Sequence, residues 1–164
     1  VLLGSPAKTF GMQGFANGFI YAQNTAYKKL LKSLTERLAI DHGNSLTAYA
    51  TRAAYKDGAA WVDELLKYLQ ETITWVDAFL ANELPQVKMI YPEGTYLLWL
   101  DFRSLGLSEK EINSLIINEA KLALGKGYVF GKQGAGFMRM TIASPLPVIQ
   151  QAFYQLKSAV NQLK

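Results

Sequence analysis

The chain contains no cysteine. That removes disulfides, thiolate metal sites and cysteine nucleophiles together, and it is compatible with a reducing, cytoplasmic setting. The single histidine, His42, sits beside Asp41 in a turn-like Asp-His-Gly-Asn stretch, and one imidazole without thiols makes a dedicated metal site an unpromising reading. With 5 Pro and 13 Gly in 164 residues, collagen-like and low-complexity architectures are excluded. The longest uncharged run, Thr9 to Tyr27, carries three Gly, two Gln and two Asn and is too polar to span a membrane. No signal peptide is visible. Charge of one sign is also scarce: 17 basic and 13 acidic residues give a net +4. The only local basic cluster, Lys28, Lys29, Lys32 and Arg37, falls at helical spacing around Leu30, Leu31 and Leu34. It reads as the solvated face of an amphipathic segment, and no interleaved aromatics turn it into a nucleic-acid surface.

What is present is a core. Half the residues are apolar, and the aromatics comprise 8 Phe, 9 Tyr and 3 Trp. At about 150 residues per domain the length suggests one domain, able to bury roughly two thirds of its unfolded surface. The chain opens on the apolar run Val1-Leu2-Leu3-Gly4 with no Met before it, as though cut from something longer. Val1 to Leu3 could end a buried strand. Gly11, Gly14 and Gly18 then favour loops. Asn24 to Leu38 turns helical, and Ser45 to Ala54 reads as a short helix. The strongest element runs from about Ala59 to Asn82, where Trp61, Leu65, Leu66, Leu69, Ile73, Val76, Phe79 and Leu80 keep a three-four spacing. A helix that long, about 35 Å, is expected to connect two bodies, and Pro85 stops it.

After Pro85 short elements alternate. Lys88 to Tyr91 is a strand candidate, and Thr95 to Phe102 reads as a strand buried on both faces. Ser108 and Glu111 form a capping box that opens a helix carried by Ile112, Leu115, Ile116, Ala120 and Ala123, ended by Gly125 and Gly127. Tyr128 to Phe130 and Phe137 to Ala143 read as strands. Ser144-Pro145 opens the last helix as N-cap and first-turn proline, with Val148, Ile149, Ala152, Phe153, Leu156, Val160 and Leu163 facing inward. From Gln86 onward the pattern is an α/β layer of strands with two covering helices.

Two residues stand out chemically. Lys8 follows a strand end within Ser5-Pro6-Ala7-Lys8-Thr9-Phe10. A phosphate loop would need Gly before the lysine and another Gly upstream, and Ala7 stands there instead. The alternatives are an ordinary loop lysine or an amine that forms a Schiff base. Arg139 lies in Phe137-Met138-Arg139-Met140-Thr141-Ile142, where alternation sets it opposite Met138, Met140 and Ile142. A guanidinium in such surroundings needs an anion, which could be a bound carboxylate or phosphate, or an internal partner such as Asp101 or Glu119.

Four stretches, in order, together resemble the C-terminal part of the pyridoxal-phosphate enzymes of the class I/II aminotransferase fold. They are Ser5 to Phe10, Pro92-Glu93-Gly94-Thr95-Tyr96-Leu97, Trp99 to Arg103 with Leu105-Gly106-Leu107-Ser108, and Gly136 to Pro145. The nearest branch is that of the carbon–sulfur β-lyases, which includes cystathionine β-lyase and the maltose-regulon modulator. The resemblance implies an α/β fragment of the type I fold: residues 1–58 as the end of the cofactor-binding large domain, 59–85 as the long interdomain helix, and 86–164 as the small C-terminal domain.

The same resemblance implies site roles. Lys8 would hold pyridoxal phosphate and move protons at the substrate carbon, Ser5 would bond the cofactor phosphate, and Arg139 would clamp the substrate α-carboxylate. Gly11 stands where these lyases usually carry Asn, and Ala16 where the aminotransferases proper put a second phosphate-binding Arg, which favours the lyase branch. The acid at the pyridine nitrogen, the aromatic stacked on the ring and the backbone phosphate cup come in the family from chain that precedes this lysine. The expected function is therefore part of a C–S β-lyase acting on a small amino acid, homodimeric and cytoplasmic when complete and inactive as this piece alone. The alternatives are a class I/II aminotransferase, or a non-catalytic regulatory or interaction module.

Overall fold

The structure, a computed structural model, describes residues 1–40 and 43–163. The Asp41-His42 half of the expected turn lies outside them. The chain forms two compact units, Val1–Leu65 and Leu66–Lys164, which divide inside the long helix between Leu65 and Leu66.

In the first unit, β1 (Leu2–Gly4) pairs antiparallel with β2 (Phe19–Tyr21), Leu3 facing Ile20. Between them lies α1 (Ala7–Phe10), a single turn closed by Gly11 at φ 65°. Two longer helices follow, α2 (Thr25–Arg37) and α3 (Ser45–Asp57). Each begins at an asparagine whose side-chain oxygen accepts from the first-turn amides: Asn24 from Ala26 and Tyr27, Asn44 from Leu46. The expected burial fails here. Within this unit Leu2 and Leu3 are exposed, as are Leu30, Leu34 and Leu38 on the apolar stripe of α2. A two-stranded ribbon and two helices have too little mass to cover those faces, since a single strand pair needs a further layer to bury its side chains.

Helix α4 (Ala59–Glu83) has the predicted extent, and its buried residues Leu69, Thr72, Ile73, Val76, Phe79 and Leu80 belong to the second unit. Trp61 and Leu66, read as members of the same stripe, are exposed. The second unit centres on a fully antiparallel sheet in the order β3 (Lys88–Ile90), β4 (Leu97–Asp101), β6 (Phe137–Thr141), β5 (Gly125–Lys126). Leu98, Leu100, Met138 and Met140 bury one face completely or nearly so. β4 alternates buried and half-buried residues and so is not buried on both faces. Helix α6 (Leu146–Asn161) contributes Ile149, Phe153, Leu156 and Val160 to the core, while Val148 and Leu163 stay outside it. Phe153 meets Trp75 and Phe79 of α4 edge-on, at centroid distances of 6.0 and 5.8 Å.

Three local expectations change. The capping box at Ser108 is present and opens α5 (Glu109–Ser114), but a π-turn over Leu115–Glu119 then ends the helix at Ala120. Lys121 follows at φ 56°, a left-handed conformation that stops the helix before Ala123 or the glycines are reached. Tyr128 to Phe130 is a 3₁₀ turn spanning Gly127–Phe130, and the strand is the preceding Gly125–Lys126. Pro145, not Ser144, is the N-cap of α6, and the Ser144 carbonyl instead accepts a hydrogen bond from the Tyr68 hydroxyl at 2.7 Å.

Candidate active site

Lys8 and Ser5 share one turn of the first unit. Pro6 fixes the backbone at the start of α1, where its carbonyl accepts from Phe10 N–H at 3.0 Å. Gly11 releases the chain in the left-handed region, the conformation that glycine adopts freely. The turn rests on α3: Phe10 meets Tyr55 edge-on at 5.3 Å. Further along, the Thr47 hydroxyl donates to the Phe15 carbonyl, and the Asn17 side-chain amide donates to the Thr51 hydroxyl. These two threonines brace the loop that faces Ser5.

Lys8 is exposed on α1. The Ser5 hydroxyl donates to the Asn17 carbonyl and accepts from the Ala7 N–H at 3.1 Å. A cofactor carrying an aldehyde and a phosphate asks for an amine and for phosphate donors. Lys8 carries the first. Ser5 has one proton, here engaged with Asn17, so it serves a phosphate by turning that proton outward. The residues present fit the group on that condition. An open concavity of about 1270 Å³, bordered by Leu3, Phe19, Tyr21, Leu31 and Thr47, includes neither Ser5 nor Lys8 in its wall. Ala16 sits at φ 46°, in the left-handed region that costs a residue with a Cβ about 1 kcal/mol.

Arg139 belongs to the second unit, at the centre of β6, paired with Trp99 of β4 on one side and Gly125 of β5 on the other. It is half-buried. Neither internal partner considered for it is engaged with it. Asp101 is taken by Arg103, which donates to it from Nε at 2.9 Å and from Nη2 at 2.8 Å, and Glu119 is exposed on the π-turn. That bidentate bond holds the Asp101 carboxyl below the usual carboxylate range. Among the described residues Arg139 has no ion-pair partner, and its guanidinium lies over the Phe130 ring, 4.6 Å from the centroid. Phe130, which its composition places in a strand, instead stands in the 3₁₀ turn beneath that guanidinium, and the glycines at 127, 131 and 134 suit a tight turn better than a strand.

Comparison with known proteins now decides the family. The family model described as aminotransferase class I and II matches residues 1–152. The chain belongs to this family. Among its relatives is the cystathionine beta-lyase PatB of Bacillus subtilis, 32% identical over 161 residues that make up 98% of this chain and 42% of the relative. Protein MalY of Escherichia coli is 27% identical over 99% of this chain and 42% of its own. Among solved structures, cystalysin from Treponema denticola, which contains a pyridoxal 5'-phosphate cofactor, superposes with a TM-score of 0.89 at 30% identity, covering 99% of this chain and 41% of that one. The α/β fold is thus that of the pyridoxal-phosphate-dependent aminotransferases, and the family is one of enzymes. The chain spans about two fifths of the length of the relatives it matches. No described helix is long and apolar enough to cross a membrane.

Proposed function

We propose that the complete protein carrying this sequence is a carbon–sulfur β-lyase that cleaves a small sulfur amino acid to a thiol, pyruvate and ammonia. The observation that carries this reading is the contrast between Arg139, on β6, and Arg103, in the 3₁₀ turn that follows β4. Arg103 is neutralised by Asp101, whereas Arg139 presents its donors with no carboxylate from the described residues. A planar fork kept open in this way suits the α-carboxylate of an amino acid. The likeness to PatB and the small side chain of Ala16 favour lyase over transaminase chemistry.

In this reading each residue has one task. Arg139 accepts the substrate carboxylate in the plane of its guanidinium and so fixes which bond at the α-carbon faces the reacting system. Lys8 would hold the cofactor through Nζ in the resting enzyme and, once the substrate amine has displaced it, would use the freed amine to take the proton from the α-carbon. Ser5 donates its hydroxyl proton to the phosphate. Pyridoxal phosphate, when bound, supplies the electron sink that stabilises the charge left at that carbon. The bond from the β-carbon to sulfur then breaks, and the thiolate leaves with the electron pair and takes up a proton. The three-carbon remainder adds water to give pyruvate and ammonia. Residues 1–58, 59–85 and 86–164 are read as large-domain remnant, interdomain helix and small domain, and the family resemblance supports a homodimer. The absence of cysteine is compatible with a cytoplasmic setting.

Incubation of the complete enzyme with cystathionine tests the reaction. The account predicts thiol and pyruvate in equal amounts without added keto acid. A keto-acid-dependent transfer of the amino group, without thiol release, assigns it to the transaminases instead.

A further inference from the structure

The surroundings of Arg139 point to a residue whose task is to orient it. A bidentate carboxylate receptor is useful only if its flexible side chain is held with the fork in one plane, and β6 alone does not supply that. Across the sheet, position 125 is glycine, and a Cβ there would stand 3.4 Å from both Cβ and Nε of Arg139. The missing side chain gives the arginine stem room beside β5, toward the turn that carries Phe130. There the guanidinium carbon stands 4.6 Å from the Phe130 centroid.

That ring is itself supported. It meets Trp99 edge-on at 5.7 Å and 75°, and Trp99 stacks on Phe137 at 5.5 Å and 16°, which ties the platform to β4 and β6. Gly131 N–H donates to the Tyr128 carbonyl at 3.1 Å and Gly134 N–H to the Gly131 carbonyl at 3.0 Å, which closes the loop. Phe130 is nevertheless 56% exposed, so core packing does not account for an aromatic ring there. A cation resting on a ring face keeps its N–H donors pointing outward in its own plane, the geometry a carboxylate needs. Arg103 lies over Phe137 at the other end of the column, but it already donates from Nε and Nη2 to the Asp101 carboxylate.

We infer that Phe130 is a positioning residue for substrate recognition, its ring face holding the Arg139 guanidinium in the plane that receives an α-carboxylate. The inference rests on the proposed role of Arg139, and its test separates the two. The full-length, cofactor-loaded enzyme is titrated calorimetrically with L-alanine and with L-alaninamide, which lacks the carboxylate charge. The ratio of the two affinities is compared among the wild type, Phe130→Leu, Phe130→Met, Phe130→Tyr and Arg139→Met.

The ring-free variants are expected to lower the preference for the acid about five- to tenfold, as loss of a partly desolvated cation–π contact implies. Phe130→Tyr, which keeps the ring face, is expected to restore it, and Arg139→Met to abolish it. A role in apolar packing alone would leave Leu and Met close to wild type. If Arg139→Met abolishes the preference while Leu and Met keep it, or if Tyr fares as badly as Leu, the positioning role is overturned and the carboxylate role stands. If Arg139→Met keeps the preference, the reading of Arg139 falls and this inference with it. Thermal midpoints of all the variants identify any that fail to fold, and Leu and Met stand in for one another in that event.

Discussion

Replacing Gly134 by alanine probes the turn that carries Phe130. A Cβ at residue 134 would lie 2.1 Å from the carbonyl oxygen of Gly127 and 2.6 Å from its carbonyl carbon. Side-chain carbons do not approach backbone atoms closer than about 3 Å, so the two backbone segments must separate by about 1 Å. Neither neighbour is a side chain that can swing aside. The contact is also reciprocal, because a Cβ on Gly127 would meet the Gly134 oxygen at 2.2 Å. Overpacking usually costs 1–3 kcal/mol, and a rigid backbone neighbour puts this case near the top, at about 3 kcal/mol. With a urea m-value of about 2 kcal/mol/M, the unfolding midpoint should fall by about 1.5 M. Gly94→Ala is the control, since nothing lies within 4 Å of its Cβ, and it should stay within about 0.5 kcal/mol of wild type. Equal midpoints for the two variants would refute the argument that residues 127 and 134 are glycine because their backbones touch.

The core, the loop strain and the acid response give three further tests. Phe153, fully buried against Trp75 and Phe79, should cost about 3–5 kcal/mol when cut to alanine, read from the same urea midpoints. Ala16→Gly relieves a left-handed alanine and should raise stability slightly, by up to about 1 kcal/mol, with thermal unfolding as the measure. Asp101 and Glu111 both titrate below the ordinary carboxylate range when folded, Asp101 because Arg103 bonds it and Glu111 because Ser108 does. Their contribution is therefore complete above their unfolded pKa values and is lost as pH falls through the folded ones, below about pH 4. Stability measured downward from pH 6 should fall there, and Asp101→Asn should flatten part of the slope.

The parts of the fold legible in the sequence are those set by local rules. The three-four spacing of Leu69, Ile73, Val76 and Leu80 marked α4, and Ser108 with Glu111 marked the start of α5 through side-chain bonds only three residues apart. The alternation in Phe137 to Thr141 marked β6 and the face on which Arg139 stands. What was not legible depends on partners distant in the chain. The apolar stripe of α2 promised burial that the first unit cannot provide, because helix periodicity reports which face is apolar and not what covers it. Tyr128-Val129-Phe130 has the composition of a strand, yet the backbone approach of Gly127 to Gly134 bends it into a turn. Lys8, Ser5 and Arg139 could be named as candidates from their surroundings and the family resemblance. The alternation told that Arg139 left the apolar face, but not that Asp101 would pair with Arg103 two residues away and leave Arg139 resting on Phe130.

The central claim is that Lys8 is the amine that holds the cofactor, and one measurement reaches it directly. The full-length protein is incubated with pyridoxal phosphate, reduced with borohydride, digested and mapped by mass. The account predicts a phosphopyridoxyl group on the peptide containing Ser5 to Phe10, attached at Lys8 in near-stoichiometric amount and absent from a Lys8→Ala variant. A folded protein in which Lys8 stays unmodified, or in which the label spreads over exposed lysines such as Lys28 and Lys32, would contradict it and return Lys8 to the status of an ordinary loop lysine.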